Sequence, residues 1–330
     1  MMPSIRRLLL ASAAALTLTG SLAISAGASA ADGPTAANGP ADPASGAAAN
    51  GSAAGDAGGA TRVDPHARTG GVVPGGLTGA AARNHLGAAN TRFGQLQRRR
   101  SAEPADALHE AWELFPHEVA NGAMATQSID PSLDVPANGG DILYTPTLMP
   151  GRVSCVELTT IYWQDAAELG VWNWCGDTPG FDKVVGFDSS FVSTYTTSVH
   201  GRQAYTARIT QTNATTNEWT VGLYNYTTSA FDTFFTSQGT TKLSGNDTGW
   251  DMWEIYTNVD PATGNGYYCP AVAGHGFESS DIQFNIGGSW QQASASNTTF
   301  YPSDSPNGAA DFQCPSLSFG GNHADWTVTG

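Results

Sequence analysis

The chain has 330 residues, of which 13% are charged, a formal net charge of −15, and two lysines, Lys183 and Lys242. That balance argues against nucleic acid or an anionic membrane as partner and suits a protein that stays soluble in acid. Much of the first third is Ala, Gly, Pro and Ser, too poor in large apolar side chains to build a core.

Residues 1–30 carry a basic head with Arg6 and Arg7, an apolar run from Leu8 to about Ala26, and the small-x-small pattern Ala28-Ser29-Ala30. This pattern predicts a secretory signal peptide and a secreted, extracellular protein. No later stretch reaches the roughly 18 apolar residues of a transmembrane helix, so no membrane contact is expected after cleavage. In an exported chain the four cysteines, Cys155, Cys175, Cys269 and Cys314, predict two disulfides. Of three possible pairings, the neighbouring one (Cys155–Cys175 with Cys269–Cys314) closes the shortest loops. The cysteines have neither C-x-x-C spacing nor an adjacent histidine, so no metal is expected, and no cofactor motif is seen.

Residues 31–100 read as a disordered Ala/Gly-rich linker or a prosegment. They end in Arg98-Arg99-Arg100, either a solvated charge run or a processing site. Residues 101–150 read as a lead-in. Ser101 is a plausible N-cap, acids fill the first turn, and Leu108, Trp112 and Phe115 recur at helical spacing. These features predict one amphipathic helix over 103–115, ended by Pro116 and followed by a proline-rich loop.

From 151 to 330 the texture changes to Val, Thr, Tyr, Trp and Phe with turn residues every 8 to 12 positions. The pattern predicts an all-β, two-layer antiparallel sandwich of jelly-roll or concanavalin-like type. Strands are expected at 153–163, 170–175, 183–187, 191–195, 204–212, 218–225, 231–237, 250–259, 280–286 and 325–328.

Alternation sorts each strand into two rows. Over 249–259, Asp251, Trp253, Ile255 and Val259 form a core-facing row, opposite Trp250, Glu254 and Tyr256. If these strands share a sheet with 204–212 and 280–286, their polar rows combine into one open face of Arg208, Trp250, Glu254, Tyr256, Gln283 and Asn285. Aromatic rings beside carboxylates and amides suit a sugar, whose C–H face stacks while its hydroxyls are bound. Trp172 and Trp174, two residues apart, extend the platform or fill the core. Glu157, Glu168 and Glu278 are further available acids, but spacing does not pair them. His200, His275 and His323 read as surface histidines, and the 260–266 loop reads as a β-turn.

Two resemblances follow. The export signal, Ala/Gly-rich lead and aromatic β domain over roughly 140–330 resemble secreted carbohydrate-binding proteins of filamentous actinomycetes. The chain also resembles the glutamic peptidases, acid-active sandwich enzymes with a Gln and a Glu as catalytic pair. The carrying residues are WTVGLYNYTT at 219–228 preceding WDMWE at 250–254, and WNWCGD at 172–177 with Gln164 upstream. That resemblance implies Gln164 and Glu254 as the pair. In this chain Glu254 follows Trp250 by four residues, where the family pattern has three. The expectation is therefore a secreted, monomeric carbohydrate-binding sandwich with a polysaccharide or glycan surface as partner. An acid glutamic peptidase is the alternative, and a structural or inhibitory domain the third possibility.

Overall fold

The computed structural model describes residues 62–99, 107–135, 142–164, 166–243, 248–301 and 314–330. The expected signal peptide and most of the expected linker lie outside these residues. Among the described residues, eighteen strands form two sheets. In chain order they are β1 (Thr69–Val72), β2 (Leu77–Thr78), β3 (Ala107–Pro116), β4 (Gly122–Ile129), β5 (Ile142–Met149), β6 (Val156–Trp163), β7 (Ala166–Asn173), β8 (Gly180–Gly186), β9 (Thr196–Val199), β10 (Arg202–Asn213), β11 (Glu218–Asn225), β12 (Ala230–Ser237), β13 (Trp250–Asn258), β14 (Gly276–Ile286), β15 (Ser289–Gln292), β16 (Thr298–Tyr301), β17 (Ser318–Gly321) and β18 (Trp326–Thr329). Three helices join them: α1 (Gly79–Arg99), α2 (Ser189–Tyr195) and α3 (Cys269–Val272).

The ten-stranded sheet runs β1-β12-β11-β10-β4-β14-β18-β17, with β9 on β10 and β15 on β14. The eight-stranded sheet runs β16-β3-β13-β5-β6-β7-β8-β2. The two pack as the expected all-β sandwich, antiparallel except where β1 lies parallel to β12.

Alternation places one row of each strand between the sheets. Leu158 and Tyr162 from β6, Tyr205, Ala207 and Ile209 from β10, Trp253 and Ile255 from β13, and Ile282 and Phe284 from β14 all enter this core. Asp251 shares the core-facing row and is fully buried. Its carboxyl accepts hydrogen bonds from Gln127 Nε2 at 3.0 Å, Ser279 Oγ at 2.8 Å and Trp326 Nε1 at 2.6 Å. Burial pushes its pKa up to about 7 even against these donors.

Three expectations are corrected. The stretch expected as a helix over 103–115 is strand β3. Trp112 and Leu114, two residues apart, fit an alternating row, and the outer side of β13 needs a partner, which β3 supplies in register from Leu114 opposite Asp251 to Ala107 opposite Asn258. Residues 191–195, expected as a strand, form the end of α2, which Asp188 caps by accepting the Phe191 N–H at 2.8 Å. Among the cysteines, Cys155 and Cys175 are disulfide-bonded. Cys269 and Cys314 do not form the second bridge, and the Cys314 thiol instead lies 3.5 Å from Ser316 Oγ.

An unexpected helix, α1, lies within the stretch read as linker. It is kinked at Gly87 (φ 34°, ψ −99°), a left-handed conformation that glycine adopts at little cost. Ala82, Leu86 and Ala89 are fully buried. They pack with Tyr144, Trp172, Phe181, Val184, Trp250 and Tyr256 in a cluster separate from the inter-sheet core. The helix therefore lies on the β8–β2 end of the outer face of the eight-stranded sheet and reaches Tyr144 of β5, on a surface that a two-layer sandwich ordinarily leaves to water.

Candidate active site

The outer face of the eight-stranded sheet holds the acids. On β6, Leu158 and Tyr162 point into the sandwich, so Glu157, Thr159 and Ile161 point outward. On β13, Trp250, Met252, Glu254 and Tyr256 point outward opposite Trp253 and Ile255. On β3, Glu113 lies between the core residues Trp112 and Leu114, which turns it to the same outer face, opposite Met252. The three glutamates are buried, at 8% exposure for Glu113, 0% for Glu157 and 3% for Glu254. Burying three carboxyl groups on one face is costly unless they are hydrogen-bonded, and such a cluster marks a working surface more often than a stabilising one.

Their partners are specific. Glu157 accepts the indole N–H of Trp174 on Oε2 at 3.1 Å and that of Trp250 on Oε1 at 3.2 Å. The Tyr256 hydroxyl donates to Glu254 Oε1 at 2.5 Å. Burial, then the Glu254 carboxylate, and more weakly Tyr144 and Glu157, push the Tyr256 phenol well above the ordinary tyrosine value. Tyr256 thus feels both carboxylates, although β5 separates their strands. Across that intervening strand, Thr147 of β5 pairs in register with Thr159 of β6 on one side and Met252 on the other. The Thr147 and Thr159 hydroxyls are buried and find no hydrogen-bond partner among the described residues. Polar atoms left so in the middle of an acidic face are poised for a guest such as water or a substrate amide.

The expected site residues divide between two surfaces. Trp172, Trp174, Trp250, Glu254 and Tyr256 do meet on the outer face of the eight-stranded sheet. Arg208, Gln283 and Asn285 belong to β10 and β14 of the other sheet, so the expected composite face does not form. Arg208 reaches back to the carbonyls of Pro65 at 2.7 Å and Ala67 at 3.0 Å and stacks over Phe231. Gln283 Nε2 donates to Asp281 at 3.0 Å. Asn285 pairs in register with Gly122 and Trp290. Gln164 lies on the turn after β6 with φ 49°. The register row of Glu254 crosses β5 at Tyr144 and β6 at Ile161, three residues short of Gln164. The row therefore does not set Gln164 opposite Glu254, and Glu157 lies four residues from Ile161 in the other direction, beside Trp250, whose indole it accepts. The alternation of Val156 and Leu158 against Glu157, Thr159 and Ile161 is the signal that singles it out.

The three tryptophans are not a stacking platform. Trp172, Trp174 and Trp250 are 1%, 4% and 1% exposed, and two of them are donors to Glu157. Trp219 and Trp326 are core residues. The histidines are engaged: His200 with Glu278 at 2.5 Å, His275 with Asp130 at 2.6 Å, and His323 with Thr298 at 2.8 Å. Asp130, Arg202 and His275 line a cavity of about 440 Å³ at the end of the ten-stranded sheet. Arg202 there is paired with Glu278 at 3.2 Å, and none of the three glutamates reaches this cavity.

No known family profile and no curated protein matches the chain. Solved structures do. A crystal structure of scytalido-glutamic peptidase with a transition-state analogue inhibitor shares 8% identity, covering 67% of this chain and 98% of the peptidase at a TM-score of 0.34. SCP-B, a member of the eqolisin family of peptidases solved with the tripeptide Ala-Ile-His, shares 9% identity over the same shares of the two chains at 0.33. Similarity at this level does not place the chain in a family.

Proposed function

We propose that the protein is an acid-active hydrolase of polypeptides that works through Glu157 and Glu254. The supporting observation is that two buried glutamates, each held by an aromatic hydrogen-bond donor, share one sheet face and both act on the Tyr256 phenol, with threonine hydroxyls between them that find no partner among the described residues. Glu157 accepts on both oxygens, which suits a carboxylate acting as base. Glu254 is assigned the complementary role of acid. In this scheme Glu157 removes a proton from water and the resulting hydroxide adds to the peptide carbonyl carbon. Glu254 gives its proton to the carbonyl oxygen. Collapse of the tetrahedral intermediate breaks the C–N bond, returns the hydroxyl proton to Glu254, and sends the amine off with the proton carried by Glu157. The cycle needs one protonated and one ionised glutamate, the division of labour seen wherever two carboxyl groups share a reaction. A polypeptide, α1, already lies on this face, which favours a peptide over a glycan as substrate.

The test is digestion of a denatured protein by the full chain after incubation at about pH 3 to 4. Glu157→Gln and Glu254→Gln should each lower the rate by roughly 100-fold or more. Absence of cleavage by the acid-incubated parent overturns the reading. Retention on an insoluble polysaccharide without cleavage would instead support sugar binding by the aromatic face.

A further inference from the structure

We infer that the outer face of the ten-stranded sheet carries a separate binding site, a shallow strip running away from Trp290 that takes a neutral, extended polysaccharide chain. The strip lies on the opposite side of the sandwich from Glu157 and Glu254, and owes nothing to whether those acids cleave a peptide.

Register defines the strip. Ile209, Trp219, Val221 and Phe284 enter the inter-sheet core, so their neighbours Thr210, Thr220 and Asn285 point outward. Thr236 pairs with Thr220, Thr220 with Thr210, Thr210 with Gly122, Gly122 with Asn285, and Asn285 with Trp290. One unbroken, uncharged row thus crosses β12, β11, β10, β4, β14 and β15. Its positions recur at the strand spacing of about 4.8 Å, close to the repeat of an extended pyranose chain. Thr236 is exposed, and Thr220, Thr210 and Trp290 are partly exposed. The Thr220 and Thr236 hydroxyls lie 3.1 Å apart. Along the adjacent row, Arg208 donates to the carbonyls of Pro65 and Ala67, while Val63 and Ala67 pack with Met124 and Phe231. That segment walls the strip on one side.

The Trp290 end is held in place from several sides. A side-chain carbon added at Gly122 would come within 2.9 Å of Trp290 Cη2 and 3.2 Å of Cζ2, so the indole is seated on the one residue type that leaves it room. On β14 a register shift between Ser280 and Gln283 accompanies a left-handed Asp281 (φ 51°), a conformation that a non-glycine residue holds at a cost. The carboxylate so placed accepts from Gln283 Nε2 at 3.0 Å and from Gln292 Nε2 at 3.4 Å. Arg62 balances its charge at 3.4 Å. Gln292, exposed and two residues from Trp290 on β15, presents its amide on the same side as the indole. Asn285 Oδ1, beside Trp290 in register, is a buried acceptor with no hydrogen-bond partner among the described residues. An indole, two amides and a line of hydroxyls match a sugar chain, whose C–H faces stack while its hydroxyls donate and accept. Charge agrees with this match: a chain of net charge −15 with an uncharged row turns away acidic glycans. A proline-rich peptide docks in an aromatic-lined groove, whereas this row holds a single ring followed by hydroxyls.

The full chain tests this by titration calorimetry against cellohexaose, chitohexaose, xylohexaose and mannohexaose, with hexagalacturonate and decaproline as the acidic and peptide probes. At least one neutral hexasaccharide should bind, and neither of the other two probes. Trp290→Ala should lower that affinity about tenfold or more, and Gln292→Ala and Thr220→Val severalfold each. Gln292 and Thr220 lie on the surface, so their variants test the strip even where Trp290→Ala loosens the β14–β15 hairpin. Tyr301→Ala, which removes an exposed ring from the eight-stranded sheet, should leave sugar binding unchanged. Failure of all four neutral probes overturns the inference. So does binding that survives Trp290→Ala, Gln292→Ala and Thr220→Val, or that falls equally in Tyr301→Ala. Tighter binding of hexagalacturonate, or decaproline binding that is lost in Trp290→Ala, overturns the ligand class. Sugar binding lost in the strip variants upholds the site whether or not the protein cleaves a polypeptide.

Discussion

The Tyr144 hydroxyl on β5 donates across 3.0 Å to the carbonyl of Ala89 in α1, and so ties the covering helix to the floor of the face that holds Glu157 and Glu254. Both partners are fully buried. The bond sits just past the Gly87 kink, where the helix would otherwise be easiest to lift. Tyr144→Phe keeps the ring and removes the donor. It should loosen the helix by about 1 kcal/mol, seen as roughly fivefold faster hydrogen exchange in 79–91 at pH 6, with the melting temperature of the sandwich nearly unchanged. Unaltered exchange in that segment would show that the apolar contacts alone hold α1.

Asp251 gives the fold a pH dependence of definite sign. Its folded pKa is raised from 3.8 to about 7, so the native state binds a proton more tightly than the unfolded chain. The stabilisation is fully present below the unfolded value and is lost as pH rises through the folded one. The shift corresponds to about 4 kcal/mol, an upper figure, across pH 4 to 7. Asp281, raised to about 6 first by burial, adds in the same direction. Asp130 and Asp232 run the other way: hydrogen bonds outweigh burial and lower their pKa, so their contribution is lost only as pH falls below the ordinary carboxylate value. Denaturant midpoints should therefore rise on acidification from pH 7.5 to about 4.5 and fall below that. Asp251→Asn should flatten the first part of this curve. A parent that is most stable at pH 7.5 would refute the assignment.

How legible this was in the sequence depends on how local each signal is. The row of Asp251, Trp253 and Ile255 against Trp250, Glu254 and Tyr256 follows from strand alternation, and the structure keeps it. The merging of that row with Arg208, Gln283 and Asn285 fails because sheet membership is not local: β13 pairs with β3 and β5, while β10 and β14 flank β4. Helix α1 was hidden because its buried side chains are two alanines and one leucine in a Gly- and Ala-rich stretch. Its order comes from the groove it fills rather than from its own apolar stripe. Strand β3 was misread because Leu108, Trp112 and Phe115 satisfy a helical period by coincidence, while Trp112 and Leu114 satisfy the strand period that the edge of β13 selects.

Trp250 and Trp253, three residues apart on β13, should respond oppositely to substitution. Trp253 is fully buried between the sheets, packed near Phe277 and Phe319. Trp253→Ala should cost about 3–5 kcal/mol and appear as a large loss of thermal stability. Trp250→Phe keeps most of the apolar contact on the outer face but removes the N–H that Glu157 accepts. It should leave stability within about 1.5 kcal/mol of the parent and lower the cleavage rate about tenfold or more, with the acid limb of the pH–rate profile displaced. Equal stability losses in the two variants would mean that the outer face is simply a second core.

The Cys155–Cys175 disulfide links stability to the same acid. It joins the start of β6 to the residue after Trp174, spanning 20 positions of sequence, and Trp174 is the second donor to Glu157. Around the bridge, Asn217 Nδ2 donates to the Gly239 carbonyl at 2.8 Å and to that of Val153 at 2.9 Å. Closing a loop of that size contributes about 3 kcal/mol by restricting the unfolded chain. For a domain this large, Cys155→Ser with Cys175→Ser should lower Tm by roughly 6–12 °C. The β6–β7 ladder runs on from Val156 opposite Asn173, so the double variant still folds. What it loses is the fixed position of Trp174 over Glu157. At a temperature where the variant remains folded, its kcat should fall severalfold with KM little changed, because the loss falls on an acid that acts in the transition state. A variant with lowered Tm but unchanged kcat would separate the bridge from the chemistry and assign Trp174 to packing alone.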